Sequence, residues 1–220
     1  MSLAETWDRF AKERAPRRAV NSRGRSTWLN WTQYPDHGPD EGVLGTSLAG
    51  LRVLELGSGN GDNLAHLATL GAQCTGVDVA PSREAAARER WGHLPGLDFR
   101  TAEAVGFLTA TETATFDVVL SVFGAVWFVD PDTLLPLVRA RMNEGGTLAF
   151  SHLPAGSQEL LPGRKTGMRH DHTPEEWSKL LHRHGFTDVR AEVIDPPAGQ
   201  STATMLIRAT AQPCELSGRA

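Results

Sequence analysis

Cysteine is scarce in this sequence, which has two cysteines, Cys74 and Cys214, among 220 residues. The two lie far apart, and Cys74 opens an apolar run that is typical of a β-strand. A disulfide framework or a cysteine-ligated metal site needs more cysteines at closer spacings. The composition therefore supports neither class, and we expect no bound metal ion.

Long apolar runs and a surplus of positive charge are also missing. No uninterrupted apolar stretch approaches the roughly 20 residues that a membrane-spanning helix needs. The first ten residues, MSLAETWDRF, lack the basic start and the apolar centre of a secretory signal, so we expect a cytoplasmic protein. The formal net charge is -4, which gives the whole molecule no general attraction for nucleic acid or for an anionic membrane.

The N-terminal part of the chain differs in composition from the rest. It contains a basic stretch broken by Pro and Gly, followed by a cluster of aromatic residues, Trp28, Trp31 and Tyr34. The basic stretch is not interleaved with repeated aromatic residues, so nothing in the sequence supports nucleic-acid binding. We predict a helical and aromatic cap over residues 1–48 and a cofactor-binding domain over residues 49–220.

Apolar runs alternate with stretches of helical periodicity through most of the chain. Predicted strands lie at residues 51–56, 74–79, 97–101, 116–123, 146–151, 188–194 and 202–209. Predicted helices lie at residues 4–14, 63–70, 131–142 and 173–184, with one more from about Ser82, a residue able to cap it, to Trp91. Such alternation indicates a parallel sheet with helices on both faces. The last two strands are joined without a helix, which predicts a hairpin and therefore one antiparallel strand.

The strongest chemical signal is the stretch VLELGSGNG, which ends the first strand and opens a helix at Gly61. Its glycines let the chain turn sharply and let a ligand approach the backbone. Asp78 follows Gly59 by 19 positions and ends the second strand, where an acid accepts hydrogen bonds from ribose hydroxyls. The combination predicts a cofactor that contains a nucleoside.

Two cofactor classes share this layout. A dinucleotide site has its third Gly or Ala where this chain has Asp62, whose charge is unfavourable beside a pyrophosphate at a helix N-terminus. The pattern E-x-G-x-G-x-G, from Glu55 to Gly61, instead resembles motif I of the class I S-adenosylmethionine (SAM)-dependent methyltransferases. SAM has no phosphates, and its sulfonium is better served by acids than by bases. An NAD-dependent oxidoreductase stays the enzymatic alternative.

The resemblance to these methyltransferases covers roughly residues 51–209. It is carried by Asp78, by Thr101-Ala102-Glu103 after the third strand, by FDVV, by NEGG and by the terminal hairpin. SVFGAVWFVDP and FSHLP are similar to small methyltransferases of actinobacterial natural-product pathways. The resemblance implies a Rossmann-like, mostly parallel seven-stranded sheet with an antiparallel last strand, and SAM as cofactor with S-adenosylhomocysteine (SAH) as product. It implies these cofactor-binding residues: Glu55, Gly57, Ser58, Gly59, Gly61, Asp78, Val79, Ala102, Glu103 and Ser121.

The methyl acceptor has no signature of its own, and its candidate residues rest on their positions. His152 follows the fifth strand at the edge of the sheet where ligands bind, which makes it the leading general base. The alternative is that His152 only bonds a loop backbone. Four aromatic residues are candidates for lining an acceptor pocket: Trp28, Trp31, Tyr34 and Trp127. Trp127 has the better claim because it follows the fourth strand, whereas the three N-terminal residues are alternatively expected to fasten the N-terminal part to the core.

The stretch from 153 to 172 is long for a connection without secondary structure, and we predict that it acts as a lid over the acceptor. This stretch ends with His170, Asp171 and His172, which we interpret as a solvated loop. A metal site is the alternative, but it would need more ligands than these three residues supply. We expect methyl transfer to an oxygen or nitrogen of a small molecule, such as a secondary metabolite. A non-catalytic SAM-binding protein is the alternative from another class.

Overall fold

The computed structural model describes residues 2–13, 18–157 and 169–213. The strands are Arg52–Leu56 (β1), Gln73–Asp78 (β2), Leu97–Thr101 (β3), Phe116–Val122 (β4), Met142–His152 (β5), Phe186–Ile194 (β6) and Thr204–Ala211 (β7). The α-helices are Leu3–Glu13 (α1), Asp62–Thr69 (α2), Pro81–Trp91 (α3), Ala104–Ala110 (α4), Ala125–Phe128 (α5), Pro131–Arg141 (α6) and Pro174–Arg183 (α7). A 3-10 helix spans Glu41–Leu44. Within these ranges, every helix is too short or too polar to cross a bilayer.

The seven strands form one sheet in the order β3-β2-β1-β4-β5-β7-β6. Strands β1 to β5 pair in parallel, whereas β7 pairs antiparallel with both β5 and β6. The predicted mostly parallel, Rossmann-like sheet with an antiparallel last strand is therefore confirmed. The order reverses at β1 and β4, and in open sheets of this kind ligands bind beyond the carboxyl ends of the strands at that point.

The two faces of the sheet bury separate cores, because successive side chains of a strand point to opposite faces. In β1, Leu54 and Leu56 belong to the core that contains α6 and α7, while Val53 belongs to the core that contains α2. In β4 the same alternation places Val119 in the first core and Leu120 in the second. Strands that are buried on both faces have continuous apolar sequences, and such runs predict these central strands.

Helix α7 begins as its sequence predicts. The Thr173 side chain accepts the backbone N–H of Glu176, the Glu176 side chain accepts the N–H of Thr173, and Pro174 takes the first helical position. Helix α3 differs from the prediction, because it begins at Pro81 with Ala80 as its N-cap rather than with Ser82. Ala80 has no side-chain acceptor, so the exposed N–H groups of α3 need a partner from elsewhere in the fold.

The segment after the basic stretch packs into the α2 side of the core. Trp31 is fully buried, and its indole N–H donates to the Asp40 carbonyl at 3.2 Å. The Ser151 hydroxyl on β5 donates to the Trp31 carbonyl at 2.6 Å. His66 on α2 contacts Glu41 at 3.1 Å and Thr27 at 3.3 Å. This part of the chain is held by buried contacts, not merely laid over the surface.

Candidate functional site

The Gly-rich turn after β1 is built by three glycines with positive φ: Gly57, Gly59 and Gly61. A Cβ on Gly57 would lie 2.6 Å from the Cα of Gly124, and one on Gly61 would lie 2.5 Å from the Phe99 ring. These two glycines are needed because the backbone packs closely against the segments after β4 and on β3. Gly59 faces open space instead, with no atom within 4 Å of a Cβ placed there.

Asp78 at the end of β2 closes the turn. One carboxylate oxygen accepts the backbone N–H of Gly59 at 2.9 Å, and the other accepts that of Ala80 at 2.9 Å. Burial raises the pKa of Asp78, while the two backbone hydrogen bonds and the charge of Arg83 oppose the rise. Each oxygen retains a second lone pair, so the carboxylate can still accept hydrogen bonds from a ligand.

A cavity of about 340 Å³ opens beside this turn. The charged residues that line it are Asp78, Glu103 and Arg83, and Nη1 of Arg83 donates to the Asn60 side chain at 2.8 Å. The rest of the wall is mainly apolar. Six of the ten predicted cofactor residues line it: Gly57, Gly59, Asp78, Val79, Ala102 and Glu103.

The other four predicted cofactor residues lie behind the wall. Glu55 is buried and accepts the side-chain N–H of Asn63 at 2.9 Å. The Ser121 hydroxyl donates to the Leu56 carbonyl at 2.8 Å, and the N–H of Ser58 donates to the Val77 carbonyl at 3.1 Å. Together with Gly61, these residues shape the turn and do not border the cavity.

Helix α1 forms one side of the cavity, which the motifs did not indicate. Leu3, Trp7 and Phe10 all line it. The Trp7 ring meets the edge of Phe128, another lining residue, with 4.7 Å between ring centroids. The helical spacing of Trp7 and Phe10 predicts that the two side chains share one buried face of a helix. The spacing does not predict that this face borders the cavity.

His152 lies in the core, and the prediction that it is the general base is not supported. It is fully buried; its Nδ1 is 2.7 Å from the Leu153 carbonyl, and its Nε2 accepts the indole N–H of Trp177 at 2.9 Å. Burial lowers the pKa of His152 to about 4. With both ring nitrogens engaged and no place in the cavity wall, this residue matches the alternative of a histidine bonded to a loop backbone.

The four aromatic residues predicted for the acceptor pocket do not line the cavity. Trp28, Trp31 and Trp127 are buried, and the Tyr34 hydroxyl donates to the Thr202 carbonyl at 3.0 Å. The three N-terminal residues fasten their segment to the core, whereas Trp127, the stronger candidate for the pocket, is buried behind the cavity wall. The aromatic rings that do border the cavity are those of Trp7, Phe10, Phe123 and Phe128.

The predicted lid has its centre, residues 158–168, outside the described part of the chain. The end of that loop is anchored, because Asp171 accepts the indole N–H of Trp127 at 2.8 Å and the N–H of His170 donates to the Trp127 carbonyl. Residues 170–172 form a loop in which Asp171 is exposed, and these two hydrogen bonds fix it against Trp127. In the described ranges there is no group of three or more metal-ligating side chains.

The cavity fits the cofactor that the motif implies. A volume of about 340 Å³ is in the range of small-molecule sites, and the bare backbone at Gly59 lets a ligand come close. Two carboxylates against one guanidinium suit a cofactor that carries a sulfonium, and they suit a pyrophosphate poorly. Asp62 contributes less than expected to that choice, since its carboxylate pairs with Arg90 at 3.1 Å and does not line the cavity.

Comparison with known proteins agrees with this geometry. A family model described as a methyltransferase domain matches residues 5–191. A ubiquinone biosynthesis O-methyltransferase of Xanthomonas oryzae is 35% identical over 112 residues, 48% of this chain and 44% of the relative. One from Cereibacter sphaeroides is 31% identical over 154 residues, 67% of this chain and 61% of the relative. The chain thus spans about half the length of the curated relatives it matches.

Solved structures share the fold at low identity. Phosphoethanolamine N-methyltransferase 2 of Haemonchus contortus, solved with SAM, has a TM-score of 0.66 at 18% identity over 78% of this chain and 51% of that one. A 1,6-didemethyltoxoflavin N1-methyltransferase of Burkholderia thailandensis, solved with SAH, has a TM-score of 0.59 at 22% identity over 74% of this chain and 72% of that one. These likenesses establish the sheet topology and leave the acceptor open.

Proposed function

This chain belongs to the class I SAM-dependent methyltransferases, and from that membership we propose that it transfers a methyl group from SAM to an oxygen or nitrogen of a small molecule. The observation that carries the proposal is the hydrogen bond that the backbone N–H of Gly59 donates to the Asp78 carboxylate. It joins the acid at the end of β2 to the Gly-rich turn, on the wall of a cavity of suitable size.

The residues that would hold the cofactor follow from the wall of the cavity. Asp78 would accept hydrogen bonds from the ribose hydroxyls, and the bare backbone at Gly57 and Gly59 would allow close approach. Ala102 and Glu103 would border the adenine, as the resemblance implies. When bound, SAM supplies an electrophilic methyl group together with its own leaving group.

The protein's part in such a reaction is to align the acceptor and exclude water. The apolar side of the cavity, with Trp7, Phe10, Phe123 and Phe128, gives a small acceptor a dry surface. In the described wall the titratable side chains are two carboxylates and one guanidinium, with no His, Lys or Tyr. The proposal therefore rests on alignment and assigns no histidine base.

The names of relatives support a small-molecule acceptor. They include ubiquinone biosynthesis enzymes and a trans-aconitate 2-methyltransferase of Delftia acidovorans, 31% identical over 109 residues. A polyketide synthase of Alternaria alternata is 28% identical over 193 residues, 74% of this chain. These likenesses agree with a secondary metabolite as acceptor. For the predicted cap of residues 1–48, the proposal keeps a capping role for α1, which borders the cavity, while residues 18–48 complete the core beside α2.

The test is isothermal titration calorimetry with SAM, SAH and NAD on the wild type and on Asp78→Asn. We expect both adenosyl ligands to bind and NAD not to bind. In the variant the side-chain NH2 group faces the backbone N–H of Gly59 or of Ala80, so that one hydrogen bond is lost. We therefore expect the affinity of the variant for SAM to fall about tenfold or more. Asp132→Asn, at an exposed carboxylate outside the cavity, is the control that keeps wild-type affinity.

Binding of NAD alone would overturn the proposal in favour of an oxidoreductase. SAM binding without turnover of any compound in a broad acceptor panel would favour the non-catalytic alternative.

A further inference from the structure

One residue of the cavity wall has a strained backbone. Phe123, directly after β4, has a φ of 50°, in the left-handed region that bulky side chains rarely adopt. Among the residues that the structure describes, the other non-glycine residues with positive φ are Asp36, Ala114 and Asp188, and none of these three lines the cavity. Strain of this kind clusters at binding and active sites, so a functional reason for Phe123 is to be sought in the cavity.

The surrounding structure holds Phe123 in this conformation. Its N–H donates to the Ser151 carbonyl on β5 at 2.8 Å, and its ring meets the Trp127 ring edge to face, with 6.1 Å between centroids. The next residue, Gly124, packs against Gly57 without room for a side chain. The turn after β4 therefore fixes where the ring of Phe123 lies.

A glycine at this position would adopt the same backbone without strain. The chain has a phenylalanine instead, so the strain is kept together with the ring. Trp127 covers only part of that ring, because Phe123 is partly exposed and lines the cavity. The remainder of the ring is available to a ligand.

Phe123 lies across the Gly-rich turn from the predicted nucleoside site. Asp78 and Ala102 lie at the ends of β2 and β3, whereas Phe123 follows β4, on the other side of β1. In SAM the adenine and the sulfonium are attached at opposite ends of the ribose. A nucleoside held at β2 and β3 therefore leaves the methyl-bearing end of the cofactor toward β1 and β4, and an acceptor has to approach from there.

We propose that Phe123 is a specificity-determining residue whose ring packs against an aromatic ring of the methyl acceptor. The inference rests on the proposed function and names its substrate class, a small molecule with its nucleophilic oxygen or nitrogen on or beside an aromatic ring. Phe128 borders the same cavity and adds a second ring to this surface. Aromatic pairs attract each other beyond the apolar area that they bury, because the positive edge of one ring meets the negative face of the other. An aliphatic acceptor would gain the burial alone.

The test uses binding and does not require the acceptor to be known. Protein saturated with SAH is titrated with benzyl alcohol and with cyclohexylmethanol by ligand-observed NMR, and a second pair, 2-naphthalenemethanol and its fully saturated counterpart, tests a larger ring. The members of a pair share the hydroxymethyl group, and the saturated ring has at least as much apolar surface to bury. We expect at least one aromatic alcohol to bind about fivefold more tightly than its saturated counterpart.

Variants locate the preference. Phe123→Leu keeps an apolar side chain and removes the ring, so we expect the preference to fall below about twofold with unchanged affinity for SAH. Phe123→Tyr keeps the ring and the preference. Phe107→Leu makes the same exchange outside the cavity wall and leaves the preference unchanged. If Phe123→Leu does not fold, Phe123→Gly takes its place, because glycine is unstrained at this φ.

Two results overturn the inference: the wild type binds neither aromatic alcohol more tightly than its saturated counterpart, or the preference persists in Phe123→Leu. Persistence together with weakened affinity for SAH would show that the ring contacts the cofactor instead. Failure of the proposed function is recognised separately, because SAH itself would then not bind to the wild type.

Discussion

At the scale of single residues, the turn after β1 depends on close approach of backbone to backbone. Gly57 has a φ of 80°, and a Cβ there would lie 2.6 Å from Gly124 and 2.8 Å from the N atom of Ala125. Neither contact involves a flexible side chain that could move aside. Gly106, within α4, has no atom within 4 Å of the Cβ position.

We therefore predict that Gly57→Ala loses about 2 kcal/mol or more of unfolding free energy, from the left-handed backbone and the clash together. Its affinity for SAM falls as well. Gly106→Ala is the matched control, expected to be neutral or to gain about 0.5–1 kcal/mol in a helix. Urea unfolding and calorimetry measure both, and a Gly57→Ala protein as stable as the wild type would refute the argument.

His152 shows how burial removes a histidine from acid–base chemistry. In the folded protein its pKa is about 4, below the ordinary 6.5. As the pH falls from 6.5 toward 4, the unfolded chain takes up a proton that the folded chain does not, so stability declines. Between those limits the loss amounts to at most roughly 3 kcal/mol.

His152→Gln keeps an acceptor for Trp177 and removes the titration. We predict that the stability difference between wild type and variant shrinks as the pH is lowered from 7 to 4, in urea unfolding at each pH. Taking the difference cancels the other titrating groups, since both proteins share them. A difference that does not vary with pH would mean that the pKa of His152 is the same in the folded and unfolded states, as for an exposed side chain.

At the scale of elements, α1 supplies the hydrogen-bond acceptor that the N-terminus of α3 lacks. The N-cap of α3 is Ala80, which has no side-chain acceptor, and Asp8 on α1 accepts the backbone N–H of Ser82 at 3.2 Å and its hydroxyl at 2.5 Å. An acid at this end of a helix satisfies free donors and complements the helix dipole. The same contact holds α1 over the cavity, where Trp7 and Phe10 form part of the wall.

We predict that Asp8→Ala costs about 1 kcal/mol of stability and speeds the release of SAM several-fold, because α1 detaches more readily. Stopped-flow measurement of SAM release and hydrogen exchange of residues 3–13 follow the two effects. Asp132→Asn serves again as the control. Unchanged exchange in α1 together with an unchanged rate of release would show that Asp8 does not hold the helix.

At the scale of the whole molecule, the first 48 residues divide into two parts by their packing. Trp31, Leu44 and Leu48 are buried in the core that contains α2. Helix α1 instead contacts α3 and the cavity. A segment whose apolar side chains complete a core cannot be removed without exposing that core to water.

Two deletions are expected to behave differently. Removal of residues 1–17 leaves a folded protein with weakened affinity for SAM, whereas removal of residues 1–48 prevents stable folding. Thermal unfolding and calorimetry distinguish them. A folded and cooperative protein after the longer deletion would show that the core forms without Trp31, and that residues 1–48 are a separable cap.

Much of the fold was predictable because its signals are local. The strands of the sheet centre are continuous apolar runs, α7 carries its own capping box, and the motif with Asp78 identified the turn. Helices α4 and α5 were missed because they have seven and four residues, too few for a periodic pattern to stand out. The start of α3 lies before the predicted one, because the acceptor that caps this helix is Asp8 of α1, 74 positions from Ser82.

The sequence by itself determined the sheet, its antiparallel strand and the Gly-rich turn with Asp78, since these follow from periodicity and from glycines and an acid at set spacings. Tertiary structure decided the apolar wall of the cavity. It buried His152 and Trp127, which looked available at the edge of the sheet, and it brought Trp7 and Phe10 to the wall. The physical reason is that a strand's position determines where a residue lies, while packing against distant segments determines which side chains meet solvent or ligand.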